Sequence, residues 1–577
     1  MGRPEATTTT RCIAGVALLA LLMVGGTKGI GLLHSLEAHE DQYRETVIPA
    51  LGMFSGDFNP HRFTYGAPTM YVLHAVWRIH YAYLRVSGSP HITDTEHYVA
   101  SFFADPEPLC RLARFALVLF WLAAVWVTYL AGRRVGGPLA GSVTAVLVVC
   151  LGAAQGRIIG LSSDMPVFFV GALVVYQALA VPARSGALRH DAILGFTIGL
   201  GTAAKMLGLM LAGAYACWRV WGAWCVERRP WVKRVLVGMA GVLLGFAIGT
   251  PFAFLAWPEF MAAMSKQMEF NAMTGRNNPL LQVLHIGWTL VDPRRGLGPV
   301  ALLAAVAAVV YILHRKKLRA GFLVWTSVIG AIFLCTQTRY QRNWLLPMLP
   351  ALVVAAGLGT ALVMRYLARR RGAAWQVHSA LVLVLVLAPP LLFTGLACCK
   401  RMRAPNVPYA WQSCGEWVEA NLPGGSSMLV VANPSSAPRL LPTADSPAQP
   451  RDEYLGTGTR STAFLLACQS IAATEFASTK PSYRLYHRIH PSYWHQQHHE
   501  EDAAWRREVQ SQWRPLGWYI SRGVTYVLLD TSQRDRFDTD PWPAAQGLFA
   551  ALQQNGRLLR SFESARGGSI EVWQLDS

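Results

Sequence analysis

HSLEAHEDQY, residues 34–43, follows directly on the apolar run 12–33 and carries Glu37, His39, Glu40 and Asp41 where the chain leaves that run. Leu32 and Leu33 precede it at once, so at least one of these carboxylates sits at the depth of a membrane–water interface. Ionisable groups at that depth are expensive to keep and are candidates for function. The plain alternative is a wet loop, polar because water is there. Upstream, Arg3 and Arg11 flank the run, Lys28 lies near its far end and no small-residue cleavage site follows. That pattern predicts a signal anchor with a cytoplasmic N-terminus.

The 577 residues are 53% hydrophobic and only 15% charged, with positive mean hydropathy, which is too apolar for a soluble domain. A polytopic α-helical membrane protein is expected. The net charge of +19 would suit nucleic acid, but the basic residues fall in short clusters between apolar runs. This is the positive-inside pattern of a multi-pass chain, and no nucleic-acid partner is expected. The 10 cysteines form no CxxC and several lie inside apolar runs, as packing residues do. Cys414 and Cys468 fall in the polar C-terminal part, where they can pair or stay free.

Arg133 and Arg134 end the run 110–132, which therefore crosses inward and leaves 34–109 as one long external loop. Within it, 66–85 sets His74, Arg78, His80 and Arg85 among Tyr71, Leu73, Trp77 and Ile79, the pattern of a helix lying at the interface. Spans follow at 138–158 and 164–181. Residues 191–222 have cytoplasmic basic clusters on both sides, Arg184 and Arg189 before and Arg228 to Arg234 after. The segment must turn back on itself, and its helical length of about 48 Å gives about 24 Å per leg, with the turn near Lys205. A buried lysine there needs an anion. Further spans at 235–256, 298–314, 319–337, 343–364 and 376–397 bring the total to about eleven crossings, the last ending outside.

Ser162-Ser163-Asp164, residues 257–297 with the stripe Phe260, Met264 and Met268, and 338–343 (TRYQRN) all reach the side that holds Asp41. Because the topology came from Lys and Arg alone, this convergence favours a site over a wet loop. Beyond 397 the chain turns polar. Helices are expected at 409–421 and 544–555, strands at 427–432 and 523–529, and a closing hairpin at 558–563 and 569–575. The expected division is a transmembrane module, 1–397, and an extracytoplasmic α/β domain, 398–577. His495, His498 and His499 would share one helix face, either as a zinc site or as part of a solvated loop.

His39-Glu40-Asp41-Gln42, then Gly56-Asp57-Phe58-Asn59-Pro60-His61-Arg62-Phe63 with Tyr65 and Pro68, then Ser163-Asp164-Met165-Pro166, Lys205 and the stretch 338–350 occur in this order. The arrangement resembles the GT-C membrane glycosyltransferases, in particular the family of protein O-mannosyltransferases and lipid A aminoarabinose transferases, over most of the chain. It departs at Gln42, where the acidic motif has Glu, and at 63–68, which lacks the Phe-Glu-Lys-Pro of the aminoarabinose enzymes. The metal-binding glutamate of those enzymes thus has no clear counterpart.

The resemblance implies a polyprenyl-phosphate-linked monosaccharide as donor, a lipid, glycan or protein hydroxyl as acceptor, and a bacterial inner membrane as location. A hydroxyl is a weak nucleophile and asks for a carboxylate base. Asp41 is the first candidate and Asp164 the second. Lys205, Arg339 and Arg342 are candidate cations for the leaving lipid phosphate. His61 is a candidate phosphate donor, a ligand with Glu40 for a divalent cation, or an ordinary interfacial histidine. Tyr65 and Tyr340 are expected to pack or to line the lipid groove rather than to take part in the chemistry. Two other classes fit such a chain: a transporter, which asks for polar residues near mid-membrane, and a non-catalytic envelope assembly protein.

Overall fold

In a computed structural model of the chain, the described residues are 15–16, 20–22, 24, 46–63, 66–90, 92–155, 158, 161–180, 188–225, 231–273, 279–317, 319–336, 342–369, 375–403, 410–431, 441–442, 459–475, 482–488, 516–531, 550–563 and 569–576. Glu107–Gly136, Trp231–Gly249, Leu349–Arg369 and Val377–Cys399 are helices long and apolar enough to cross a membrane. Pro138–Cys150, Asp164–Ala180, Leu281–Val291, Pro299–His314 and Gly321–Cys335 are shorter apolar helices. Their polarity is that of a membrane bundle. On Glu107–Gly136, Ala113, Leu117, Trp121 and Ala124 are buried while Phe115, Leu119, Leu122 and Trp126 point outward. Lipid chains satisfy such a stripe as well as a protein core does.

The stretch 191–222 folds as two helices, Leu188–Ala204 and Leu209–Cys225, broken at Lys205 by one extended residue and the 3-10 turn Met206–Gly208. The legs are antiparallel, because Asp191 and Arg219, equally far from Lys205 along the chain, form an ion pair. Helix Leu188–Ala204 lies unusually close to Trp231–Gly249. A Cβ on Gly195 would overlap the backbone of Gly238, and one on Gly245 would overlap Phe196. Residues 257–297, read from sequence as an external loop, carry two helices, Trp257–Met273 and Pro279–Val291.

Helices Ile48–Gly52, Ala67–Val86 and Thr95–Ala104 build a second core, centred on Met53, Leu73, Trp77, Tyr98 and Phe102. On Ala67–Val86 the expected amphipathy is rearranged. His74 faces the core, and Ile79, Tyr83 and Val86 are exposed. His74 Nδ1 lies 3.1 Å from Ala50 O, and Arg78 Nε donates to His74 Nε2 at 3.3 Å, which fixes a neutral ring with its proton on Nδ1. Burial lowers the His74 pKa from 6.5 to about 4. The unfolded chain takes up this proton first, so the stability involved is complete above about pH 6.5 and is lost as pH falls towards 4. Between pH 7.5 and 5 the wild type is expected to lose roughly 1–2 kcal/mol more than His74→Gln in thermal unfolding. Parallel losses would place the ring in water.

The C-terminal part holds a six-stranded sheet in the order β2-β3-β1-β4-β6-β5, where β1 is Ser427–Val431, β2 Leu441–Pro442, β3 Ser482–Arg488, β4 Val524–Asp530, β5 Gly556–Glu563 and β6 Ser569–Leu575. The first four strands are parallel, and β6 pairs antiparallel with both β4 and β5. Helix Ala410–Asn421 and strands β1, β4, β5 and β6 fall where the sequence puts them. Helix Thr459–Glu475 and β3 were not anticipated. This helix packs through Leu465, Cys468 and Ala472 on the core that holds Met53, Leu73 and Tyr98. Cys414 lies in the core of the sheet instead, so both thiols are free.

Candidate functional site

Helix Asp164–Ala180 begins at Asp164, whose N–H donates to Ser162 Oγ at 3.4 Å and whose side chain is 2% exposed. The break in the hairpin brings Lys205 to it, and Lys205 Nζ donates to Asp164 Oδ1 at 2.6 Å. The anion required by the buried lysine is thus supplied by the chain itself. Two sequence candidates 41 residues apart meet in one pair. An ammonium has three donors. The hydroxyl of Ser163, next to Asp164 in the chain, is buried and has no hydrogen-bond partner among the described residues. Beside the Lys205 turn, Gly66 rests on the carbonyls of Ala203 and Ala204, and Gly249 packs between Ala203 and Pro68.

The stretch before Gly66 carries a second polar centre. Asp57 N–H donates to Ser55 Oγ at 3.2 Å, Asn59 N–H to Asp57 Oδ1 at 3.0 Å and His61 N–H to Asn59 Oδ1 at 3.2 Å. This run of side-chain turns holds His61 at φ 51°, a conformation that costs a non-glycine residue about 1–2 kcal/mol. The strained backbone aims the ring. His61 Nε2 lies 3.0 Å from Asp57 Oδ2, and His61 Nδ1 lies 2.8 Å from Glu259 Oε2. Asn59 Nδ2 also donates to Glu259, at 3.1 Å. Burial alone would raise the Asp57 carboxyl. The hydrogen bond from His61, the Asn59 N–H, the charge of the imidazole and the Ser461 hydroxyl together hold it below the ordinary carboxylate value.

Glu259 escaped the sequence reading. An acidic residue in the first turn of a helix, here after Trp257-Pro258, already has a local reason to be there in the helix dipole. Of the stripe noted in that helix, Phe260 is buried against Phe63 with ring centroids 5.5 Å apart, and Met268 is exposed. The two carboxylates stand at opposite nitrogens of His61, so they do not converge on a common point. No group of three His, Cys, Asp or Glu side chains suited to a metal ion occurs among the described residues. Glu40, the other ligand the sequence offers beside His61, lies outside the described residues. Asp41, Tyr65, Arg339 and Tyr340 also lie outside them, as do His495, His498 and His499. Arg342 opens the 3-10 turn Arg342–Leu345, and its side chain also lies outside them.

No protein-family model and no curated protein's sequence matches the chain. Solved structures do. The Archaeoglobus fulgidus oligosaccharyltransferase, tethered with an acceptor peptide containing the NVT sequon, is similar over 99% of this chain and 74% of its own, at 12% identity and a TM-score of 0.50. ArnT from Cupriavidus metallidurans is similar in the apo state over 99% of this chain and 98% of its own, at 14% identity and TM-score 0.49. The same enzyme bound to undecaprenyl phosphate gives 13% identity and TM-score 0.46 over equal shares. At such identities the likeness is one of architecture alone: the chain shares the fold of that oligosaccharyltransferase.

Proposed function

We propose that the chain transfers a single sugar from a polyprenyl-phosphate-linked donor to a hydroxyl acceptor on the extracytoplasmic side of a membrane. It would cross that membrane about eleven times with its N-terminus inside. The observation that carries this reading is the buried Asp164–Lys205 pair at the hairpin break, within a fold shared with an oligosaccharyltransferase. Transfer makes a bond from the acceptor oxygen to C1 of the sugar and breaks the bond from C1 to the phosphate oxygen. The acceptor proton goes to Asp41 as general base, and the lipid phosphate leaves carrying the electron pair. Asp164 holds Lys205 in place, and Lys205 offers its remaining N–H donors to the phosphate, joined by Arg339 and Arg342. Tyr65 and Tyr340 line the path of the lipid.

Attack opposite the leaving phosphate inverts the anomeric centre. The transporter reading asks for charge in mid-membrane. Instead, the ion pairs of this hairpin, Asp164–Lys205 and Asp191–Arg219, stand about 21 Å apart at its two ends. Purified protein in nanodiscs, given a panel of labelled polyprenyl-phosphate sugars and hydroxyl acceptors, is expected to release polyprenyl phosphate and form a product of inverted configuration. Asp41→Asn is expected to bind donor without releasing the lipid. Retention at C1 would exclude the single displacement, and lipid release by Asp41→Asn at the wild-type rate would exclude Asp41 as the base.

A further inference from the structure

The polar centre at His61 continues beyond the stretch before Gly66. Ser461, in the first turn of helix Thr459–Glu475, is buried, and its Oγ lies 3.4 Å from Asp57 Oδ2 and 3.5 Å from Gly52 O. Leu465, Cys468 and Ala472, further along the same helical face, anchor this helix in the core that holds Met53, Leu73 and Tyr98. A continuous chain of hydrogen bonds therefore runs from Ser461 through Asp57 and His61 to Glu259. It joins three parts that are far apart in sequence: the C-terminal domain, the stretch before Gly66 and helix Trp257–Met273. Its member His61 lies five residues before Gly66, which rests on the turn of Lys205. Phe63, between them, is buried against Phe260, one residue from Glu259.

We propose that Ser461, Asp57, His61 and Glu259 form a latch that holds helix Trp257–Met273 and the C-terminal domain in register with the Asp164–Lys205 pair, with Glu259 as a positioning residue for the transfer. The proposal rests on the glycosyl transfer reading above. Glu259 is the end most open to solvent, with a side chain 46% exposed, and the latch opens there most readily. Opening leaves the reacting groups intact and reduces the share of molecules ready to bind donor. An affinity for a partly populated competent state is weakened in proportion to its population, whereas turnover of the complexes that form is unchanged.

Glu259→Ala is therefore expected to raise the apparent KM for the donor about five- to tenfold with kcat within about twofold, as loss of its hydrogen bonds with His61 and Asn59 at a half-open position would do. Glu259→Gln keeps an acceptor oxygen for Asn59 or His61 and is expected to stay within about twofold of wild type. Ser461→Ala shifts KM the same way by a smaller factor. Arg111→Ala, which breaks the exposed Arg111–Glu107 pair, is the control and is expected to change nothing. Independently of activity, hydrogen exchange of nanodisc samples is expected to show faster exchange across 257–273 and 57–63 in Glu259→Ala, and wild-type exchange in Glu259→Gln and Arg111→Ala.

Unchanged exchange in those segments overturns the latch. So does an unchanged KM, and so does a tenfold loss in kcat at constant KM, which would make Glu259 a participant in the chemistry. If wild-type protein transfers no sugar from any polyprenyl-phosphate donor, the functional reading fails, and the exchange experiment still decides whether the latch exists.

Discussion

Lys205→Met with Asp164→Leu is expected to fold nearly as well as wild type and to lose transfer by at least about a hundredfold. Either single change is expected to lose both. The asymmetry follows from burial, since the side chains of Asp164 and Lys205 are only 2% and 13% exposed and are bonded at 2.6 Å. Removing one partner leaves a charge buried without its counter-ion and costs about 3–5 kcal/mol, whereas replacing both by apolar groups of similar volume is close to neutral. Folding can therefore be separated from function. If the pair served only to close the hairpin, the double variant would restore activity along with stability. If Lys205 meets the lipid phosphate, the double variant would melt like wild type and still fail to bind donor, because two charge-assisted hydrogen bonds to phosphate, worth about 1.5–3 kcal/mol each, have gone. Thermal unfolding in nanodiscs and donor binding, measured on all four proteins, distinguish these outcomes. Wild-type donor affinity in the double variant would return both residues to a structural role.

Lys205, Asp164 and His61 are each legible in the sequence as candidates, but their contacts are not. Lys205 follows from two basic clusters whose spacing allows only a hairpin between them, and its turn then calls for an anion, which the sequence reading finds in the lipid phosphate while Asp164 stands as a second candidate base. That the carboxylate of Asp164 meets this lysine is seen only in the structure. The contact between His61 and Glu259 joins residues 198 apart, and no periodicity or charge rule relates them. The same holds for Ser461 and Asp57, 404 residues apart. Helix Thr459–Glu475 was hidden by the proline-rich stretch before it and the histidine-rich stretch after it, which together read as one irregular insert. Its buried stripe of Ser461, Leu465, Cys468 and Ala472 does have helical spacing. Small residues at two of the four positions weaken that signal, and their smallness is what lets the helix approach the loop.

Asp191→Ala is expected to destabilise the protein by about 3–5 kcal/mol, although Asp191 lies at the opposite end of the hairpin from the candidate site. Its carboxylate takes the guanidinium of Arg219 and, at 3.0 Å, the Tyr215 hydroxyl, with Arg234 Nε 3.9 Å away. Tyr215 Oη also lies 2.8 Å from the Arg234 carbonyl, so one side chain ties together helices Leu188–Ala204 and Leu209–Cys225 and the start of Trp231–Gly249. The place of Tyr215 depends on Gly238, since a Cβ there would overlap its ring. Arg219 has a further hold, with its guanidinium carbon 4.1 Å from the Trp218 ring centroid. Deleting the carboxylate leaves two guanidinium groups in a low-dielectric setting and frees the hairpin from its neighbour. Asp191→Asn, which keeps an acceptor for Tyr215, is expected to lie between the two. Because the hairpin carries Lys205 about 21 Å away, a loosened base is felt at the site only through folding. At a temperature where the variant is still folded, donor affinity is expected to be that of wild type. A loss of donor affinity in the folded Asp191→Ala protein would show that the two ends of the hairpin are coupled. A loss of stability under about 1 kcal/mol would mean that water already reaches the cluster and that the ion pair is worth no more than a surface one.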